Sequence, residues 1–290
     1  MVSKGLWLST TSAALATSPP QPHIGIDPAG RGIFAVGLCV LAIWIARRLA
    51  SPKRLALGGT PARHNNLTPG HILLILAAYL TAPLVAQIAF GQPLGYRWAL
   101  LATMAAQVIC LAVSLLVAKL TFPLGLKRGL GLSIRHWVCD TGRAVVGYLT
   151  VVPICLALYW IAGWLFGRTE ADIHPLLGLL TTAGTIWKIA IVVSAVVLAP
   201  LAEEVFLRGL VQSMLRRYLR SPWLAILISS ACFAALHPGQ VKDMPALAAL
   251  GIALGYNYER CGRLLPAIVL HAIFNGVSII TFISAAGTTP

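Results

Sequence analysis

The sequence predicts an all-α protein, a polytopic bundle of about eight transmembrane helices. Three observations carry that expectation. First, the 290 residues are 58% hydrophobic and 10% charged, whereas ordinary soluble domains hold about 25% charged residues. So few charges cannot cover a water-facing surface, and lipid is the expected solvent. Second, the apolar residues come in stretches approaching the roughly 20 residues that a bilayer-spanning helix needs. Third, the basic residues gather in alternate loops between those stretches.

The stretches lie near 32–50, 71–90, 98–118, 144–166, 186–207, 222–237, 246–257 and 264–284, the seventh being the shortest. Pro83, Pro153 and Pro200 fall inside spans, where neighbouring helices can satisfy the carbonyls that proline frees. The loops 47–64, 119–143, 208–220 and 259–263 hold five, five, four and two of the 22 Lys and Arg residues. Lys4, Arg31, Arg97, Arg168, Lys188 and Lys242 fall on the other side. The positive-inside rule then places those four loops in the cytoplasm and both termini outside it. The expected setting is the inner membrane of a bacterium. The net charge of +14 reads as topology beside an anionic leaflet. No basic stripe is interleaved with aromatics, so nucleic acid is not an expected partner.

The loop KRGLGLSIRHWVCDTGR (127–143) mixes basic and apolar residues and is expected to lie along the interface as an amphipathic helix. Six scattered cysteines without a CxxC pair give neither a disulfide framework nor a zinc knuckle. Lys4 followed by GLWLSTTSAALA has signal-peptide character, but the apolar run is short and broken by Ser and Thr, so retention is expected. The organisation expected is a loose non-cytoplasmic segment (1–31), a set of N-terminal helices (32–185) and a core carrying the chemistry (186–284).

The chain has eight acidic residues, and Asp27, Asp140, Glu170, Asp172, Asp243 and Glu259 belong to loops or span ends. Glu203 and Glu204 are adjacent and lie inside a span. A charge at bilayer depth costs at least ~2.5 kcal/mol, and neighbouring carboxylates raise each other's pKa. In EEVFLRG, Glu204 and Arg208 stand four apart on one helix face with Glu on the N-terminal side, the favourable order for an ion pair. Glu203 is rotated about 100° away and is left to accept a proton. Along the helix it lies ~22 Å from Lys188 and ~20 Å from Arg216, near mid-membrane. His237 ends FAALH at a similar depth, and His271 and Asn275 in HAIFN share a helix face. A buried charge cluster that only fixes packing is the lesser reading of the Glu–Arg pair, whereas His237 alone reads as a hydrogen-bonded structural residue. Together, on three spans, carboxylate, imidazole and amide are the groups needed to activate water and stabilise an oxyanion. Glu203, His237 and His271 would also make a three-ligand zinc site with an open position, although HExxH is absent.

The ordered set EEVFLRG, FAALH and HAIFN resembles the EExxxR, FxxxH and HxxxN elements of the CPBP family of intramembrane proteases, also called the Abi or CAAX-protease family. The resemblance covers roughly residues 186–283. It implies an endopeptidase similar to the type II CAAX prenyl endopeptidase, acting on membrane-associated or lipidated protein substrates. Glu203 and His237 would activate water, His271 and Asn275 would hold the oxyanion, and Glu204 and Arg208 would support the site. It leaves open whether the water is held by side chains alone or by zinc. A catalytically silent scaffold or immunity protein on the same fold is the alternative. A proton-coupled transporter ranks below both, because paired repeats are not seen and the motifs sit in the C-terminal half.

Overall fold

Each of the eight expected stretches folds as a helix in the computed structural model, which describes residues 28–50, 57, 60, 62–90, 95–167 and 175–287. Residues 1–27, with the signal-peptide question and most of the expected N-terminal segment, lie outside the described residues, as do Arg168, Glu170, Asp172 and His174. The helices are α1 (Pro28–Leu49), α2 (Pro69–Phe90), α3 (Tyr96–Thr121), α4 (Trp137–Phe166), a short α5 (Pro175–Thr182), α6 (Thr185–Leu219), α7 (Pro222–Ala235), α8 (Met244–Cys261) and α9 (Leu265–Gly287). No strand occurs among the described residues.

Among the described residues, six helices are long and apolar enough to cross a membrane: α1, from Gly30 onward, α2, α3, α4, α6 and α9, to Ser284. The stretches expected as the sixth and seventh spans are different. Helix α7 has 14 residues, and α8 ends in the polar run Asn257, Tyr258, Glu259, Arg260. They form a short antiparallel pair joined by the 3-10 turn Pro238–Asp243. Local signals fix the ends of this pair. The Ser221 hydroxyl accepts from the Leu224 N–H, with Pro222 at the first helical position, the favoured way to open a helix. Gly262, left-handed at φ +71°, closes α8 as a glycine C-cap does.

Helix α6 is continuous through Pro200, so the assumption behind the depth estimate holds. It is not uniformly α: Ser194–Leu198 and Glu204–Gln212 wind as wider π turns, a form that often marks functional positions. The stretch 127–143 is not one interfacial helix. Gly125–Leu130 makes a π turn, Gly131 reverses the chain at φ +84°, and Trp137 already begins α4. The reason is packing: Leu130 is fully buried, and the Gly131 carbonyl accepts from the Leu264 N–H at 3.0 Å.

The core lies where α3, α4, α6, α8 and α9 meet, around Leu130, Val205, Leu207, Leu210, Leu254, Tyr258, Leu264 and Leu270. Helices α1 and α2 are peripheral, with 6% of their apolar windows buried. In lipid, helix association rests on close packing and interhelical hydrogen bonds rather than on expulsion of water. Helix α8 supplies both through Gly251 and Gly255. A Cβ on Gly251 would meet the Ser230 Cβ at 2.9 Å, and one on Gly255 would meet Gln212 Oε1 at 2.7 Å. Small residues four apart on one face let α8 approach α6 and α7 backbone to backbone.

Candidate active site

Along α6, Glu204, Arg208, Gln212 and Arg216 recur every four residues and share a face. On α8, Gly251, Gly255 and Glu259 do the same, and the two rows interlock. Arg208 Nη2 donates to the Gly251 carbonyl at 3.3 Å, Gln212 Nε2 to the Gly255 carbonyl at 3.1 Å, and Arg216 Nε to Glu259 Oε1 at 3.1 Å. This ladder fixes the register of the helix that carries both glutamates. Its lower end is closed by the segment before α2. Arg63 pairs with Glu259 at 3.7 Å and lies 3.6 Å from the Tyr258 ring centroid, and Asn65 Nδ2 donates to the Ser213 carbonyl at 3.1 Å. Gln212 belongs to no motif and Glu259 stands at the edge of a basic loop in the sequence, yet Glu259 is 4% exposed. The signal was legible as GIALGYNYE in register with E204, R208, Q212 and R216. Asp140, also assigned to a loop, is fully buried and accepts from Arg263 Nε at 2.9 and 3.0 Å. That pair joins the start of α4 to the α8–α9 turn. The bidentate contact raises the Arg263 pKa above its ordinary value.

At the upper end of the ladder stands the polar cluster. Glu204 and Arg208 are both 0% exposed, and Arg208 Nη1 donates to Glu204 Oε1 at 2.9 Å. His271, on α9, reaches the same carboxylate oxygen through Nδ1 at 2.9 Å. One carboxylate therefore holds a guanidinium from its own helix and an imidazole from another. Phe233, 1% exposed, is the hub between them. The Arg208 guanidinium lies 4.7 Å from its ring centroid, and the His237 and His271 rings lie 4.9 and 5.5 Å away. This accounts for the phenylalanine of FAALH, to which the sequence reading gave no role. His237 Nδ1 lies 2.8 Å from the Phe233 carbonyl. A carbonyl only accepts, so Nδ1 carries the proton and Nε2 presents a lone pair. Asn275 Nδ2 donates to the Ala195 carbonyl at 2.8 Å, which ties α9 to the first π turn of α6.

Glu203 is placed differently from its neighbour. It is partly buried, and its Oε2 is buried without a hydrogen-bond partner among the described residues. Its carboxylate lies within electrostatic reach of Tyr79 on α2, of Cys110 on α3 and of Arg208 on its own helix. The structure thus gathers Glu204, Arg208, His271 and His237 around Phe233, sets Glu203 on the adjoining face and anchors Asn275 one helical layer away. Two rulers place this cluster. Glu204 stands about 22 Å along α6 from Leu219, but His271 stands about 9 Å along α9 from Leu265. Since the two side chains touch, α6 runs on beyond the start of α9, and the cluster lies closer to that end of α9 than α6 alone suggests.

Among the described residues, no group of three or more His, Cys, Asp or Glu side chains is placed to hold a metal ion. His237 and His271 each have Nδ1 engaged, by the Phe233 carbonyl and by Glu204, and Nε2 left over. All six cysteines are free thiols.

Residues 185–277 match the family model described as Type II CAAX prenyl endopeptidase Rce1-like. The matched segment runs from the start of α6 to just past Asn275 and contains the ladder, the Phe233 hub and Glu203. An uncharacterized 24.3 kDa protein of Escherichia coli is 30% identical over 148 residues, which cover 47% of this chain and 67% of that protein. No solved structure matches. Six apolar helices of spanning length and this match make the chain an integral membrane protein. The chain belongs to the CPBP family, the family of the CAAX-type intramembrane endopeptidases.

Proposed function

We propose that the chain is an intramembrane endopeptidase in which Glu203 and His237 activate a water molecule for attack on a peptide bond. The observation that carries this reading is the unequal fate of two adjacent carboxylates. Glu204 is fully buried and its Oε1 is taken by Arg208 and His271, while Glu203 is only partly buried and joins no ion pair among the described residues; the Oε2 of each is left without a protein partner. A buried carboxylate left so is costly as structure and useful as a base. His237, with Nδ1 committed to a carbonyl, offers Nε2 as a second acceptor for the same water.

The steps follow from these roles. As the water oxygen bonds to the substrate carbonyl carbon, its proton passes to Glu203 and the carbonyl electrons move onto oxygen. Asn275 has a second amide N–H beyond the one given to Ala195, and it is the donor assigned to that oxyanion. His271 donates its Nδ1–H to Glu204, which sets its ring beside Asn275 in the oxyanion assignment. Collapse of the intermediate breaks the C–N bond, and the proton on Glu203 passes to the leaving amine. Glu204 and Arg208 form an ion pair that holds α6, α9 and Phe233 in place.

The substrates in this reading are membrane-associated or lipidated proteins, in keeping with the family, and the setting is a bacterial inner membrane. With the basic loops in the cytoplasm, the Leu265 end of α9 is the cytoplasmic end and the cluster lies in that leaflet. The test is cleavage of a farnesylated peptide with a CAAX terminus by purified protein in nanodiscs, compared with Glu203→Gln and His237→Ala. A general base is worth about 10²–10⁴-fold in rate. Losses of that order support the assignment, and variants as active as the parent would overturn it.

A further inference from the structure

The segment before residue 185 lies outside the family match, yet α3 packs against the turns of α6 that carry Glu203 and Glu204. Gln107, Cys110 and Ser114 fall on one face of α3 at helical spacing, and all three are buried, at 8%, 4% and 0% exposed. Two contacts fix how α3 and α6 run side by side. Near one end, Ser194 Oγ donates to Gln107 Oε1 at 3.0 Å. Near the other, Asn66 N–H donates to the Thr121 carbonyl at 2.8 Å, while its neighbour Asn65 donates to the Ser213 carbonyl at 3.1 Å. Ser114 is midway between Gln107 and Thr121, and Glu203 is close to midway between Ser194 and Ser213. The two are therefore level across the seam, within about one helical turn.

Each of these two residues carries a buried oxygen with no nitrogen or oxygen partner among the described residues, Ser114 Oγ and Glu203 Oε2, and Ser114 has only the weak Cys110 thiol beside it. An orphaned buried polar atom is costly, and a buried water with two to four polar neighbours is the usual remedy. Tyr79, half-buried on α2 and packed against the same core, brings a hydroxyl to this seam.

We infer that α3 completes the active site: Ser114 Oγ and Glu203 Oε2 together hold the water that Glu203 activates, with the Tyr79 hydroxyl closing the pocket. This rests on Glu203 being the base. The water donates one O–H to Glu203 Oε2 and the other to His237 Nε2, and it accepts from the Ser114 hydroxyl, which leaves its second oxygen lone pair for the substrate carbonyl carbon. On attack the first proton moves to Glu203, and Ser114 neither gains nor loses one.

The test is a set of near-isosteric variants of the full chain in nanodiscs, with the farnesylated CAAX peptide as probe. Ser114→Val lowers kcat about tenfold or more with KM within about twofold. Ser114→Thr, the same size with the hydroxyl kept, stays within about twofold of the parent in both. Tyr79→Phe falls between them. Equal kcat for the Val and Thr variants, with Glu203→Gln inactive, overturns the role of Ser114 and leaves Glu203 as base. A fully active Glu203→Gln overturns both. A second measurement needs no turnover: an experimental structure of the full chain at a resolution that shows water. Density within hydrogen-bond distance of both atoms supports the inference, and side chains too far apart for one water to bridge overturn it.

Discussion

Replacing Arg208 by methionine keeps an unbranched stem, shorter than that of arginine, and removes the charge. Three interactions go with it: the 2.9 Å pair with Glu204, the 3.3 Å bond to the Gly251 carbonyl and the contact with the Phe233 face. The first dominates. Glu204 is fully buried, and stranding one partner of a buried ion pair costs about 3–5 kcal/mol. The cation–π contact adds about 0.5–2 kcal/mol. His271 remains on the carboxylate and takes up part of the charge, so a net loss of about 3 kcal/mol is expected. The double variant Glu204→Gln with Arg208→Met strands no charge and is expected to be more stable than Arg208→Met alone, though inactive. Reversible unfolding of all four proteins in a double-mutant cycle measures the difference. Additive losses, or a loss under about 1 kcal/mol for Arg208→Met, would refute the claim that this pair is the dry anchor of the site.

Three further outcomes follow from the same contacts. Gly255→Ala pushes a methyl into Gln212 Oε1 and toward Ile226 and should lose about 1–3 kcal/mol by overpacking, while Gly142→Ala, with open space around it, should not destabilise; thermal melts in detergent compare them. Glu259→Gln loosens Arg63 and Arg216 and should expose residues 62–68 to limited proteolysis well below the melting temperature. Asp140→Asn breaks the bidentate contact with Arg263, and hydrogen exchange should then rise at the start of α4 and in the α8–α9 turn while the Glu204 cluster stays protected.

Much of the fold was legible because lipid imposes a simple rule: apolar stretches cross, and basic loops stay on one side. The helices α1 to α4, α6 and α9 follow it. The hairpin α7–α8 meets it only in part, because its helices are apolar but fall short of the spanning length or hydropathy of the other six. Its length, and the run Asn257 to Arg260 at its end, were the discriminating signs. The Glu204–Arg208 pairing was legible because four-residue spacing fixes a helix face. The partner of His271 was not, since nothing in HAIFN says which of two adjacent glutamates it meets. Pairing across α6 and α8 requires knowing which glycines touch. The π turns of α6 leave no sequence signature, and the role of Ser114 depends on a register between helices some 90 residues apart.

The central claim is that two adjacent carboxylates divide the work, Glu204 as anchor and Glu203 as base. The most direct measurement pairs kcat on the farnesylated peptide with the melting temperature for Glu203→Gln and Glu204→Gln. The account predicts that Glu203→Gln loses at least about 10²-fold in kcat while melting within a few degrees of the parent, and that Glu204→Gln lowers the melting temperature clearly. A Glu203→Gln protein that cleaves at the parental rate would contradict it.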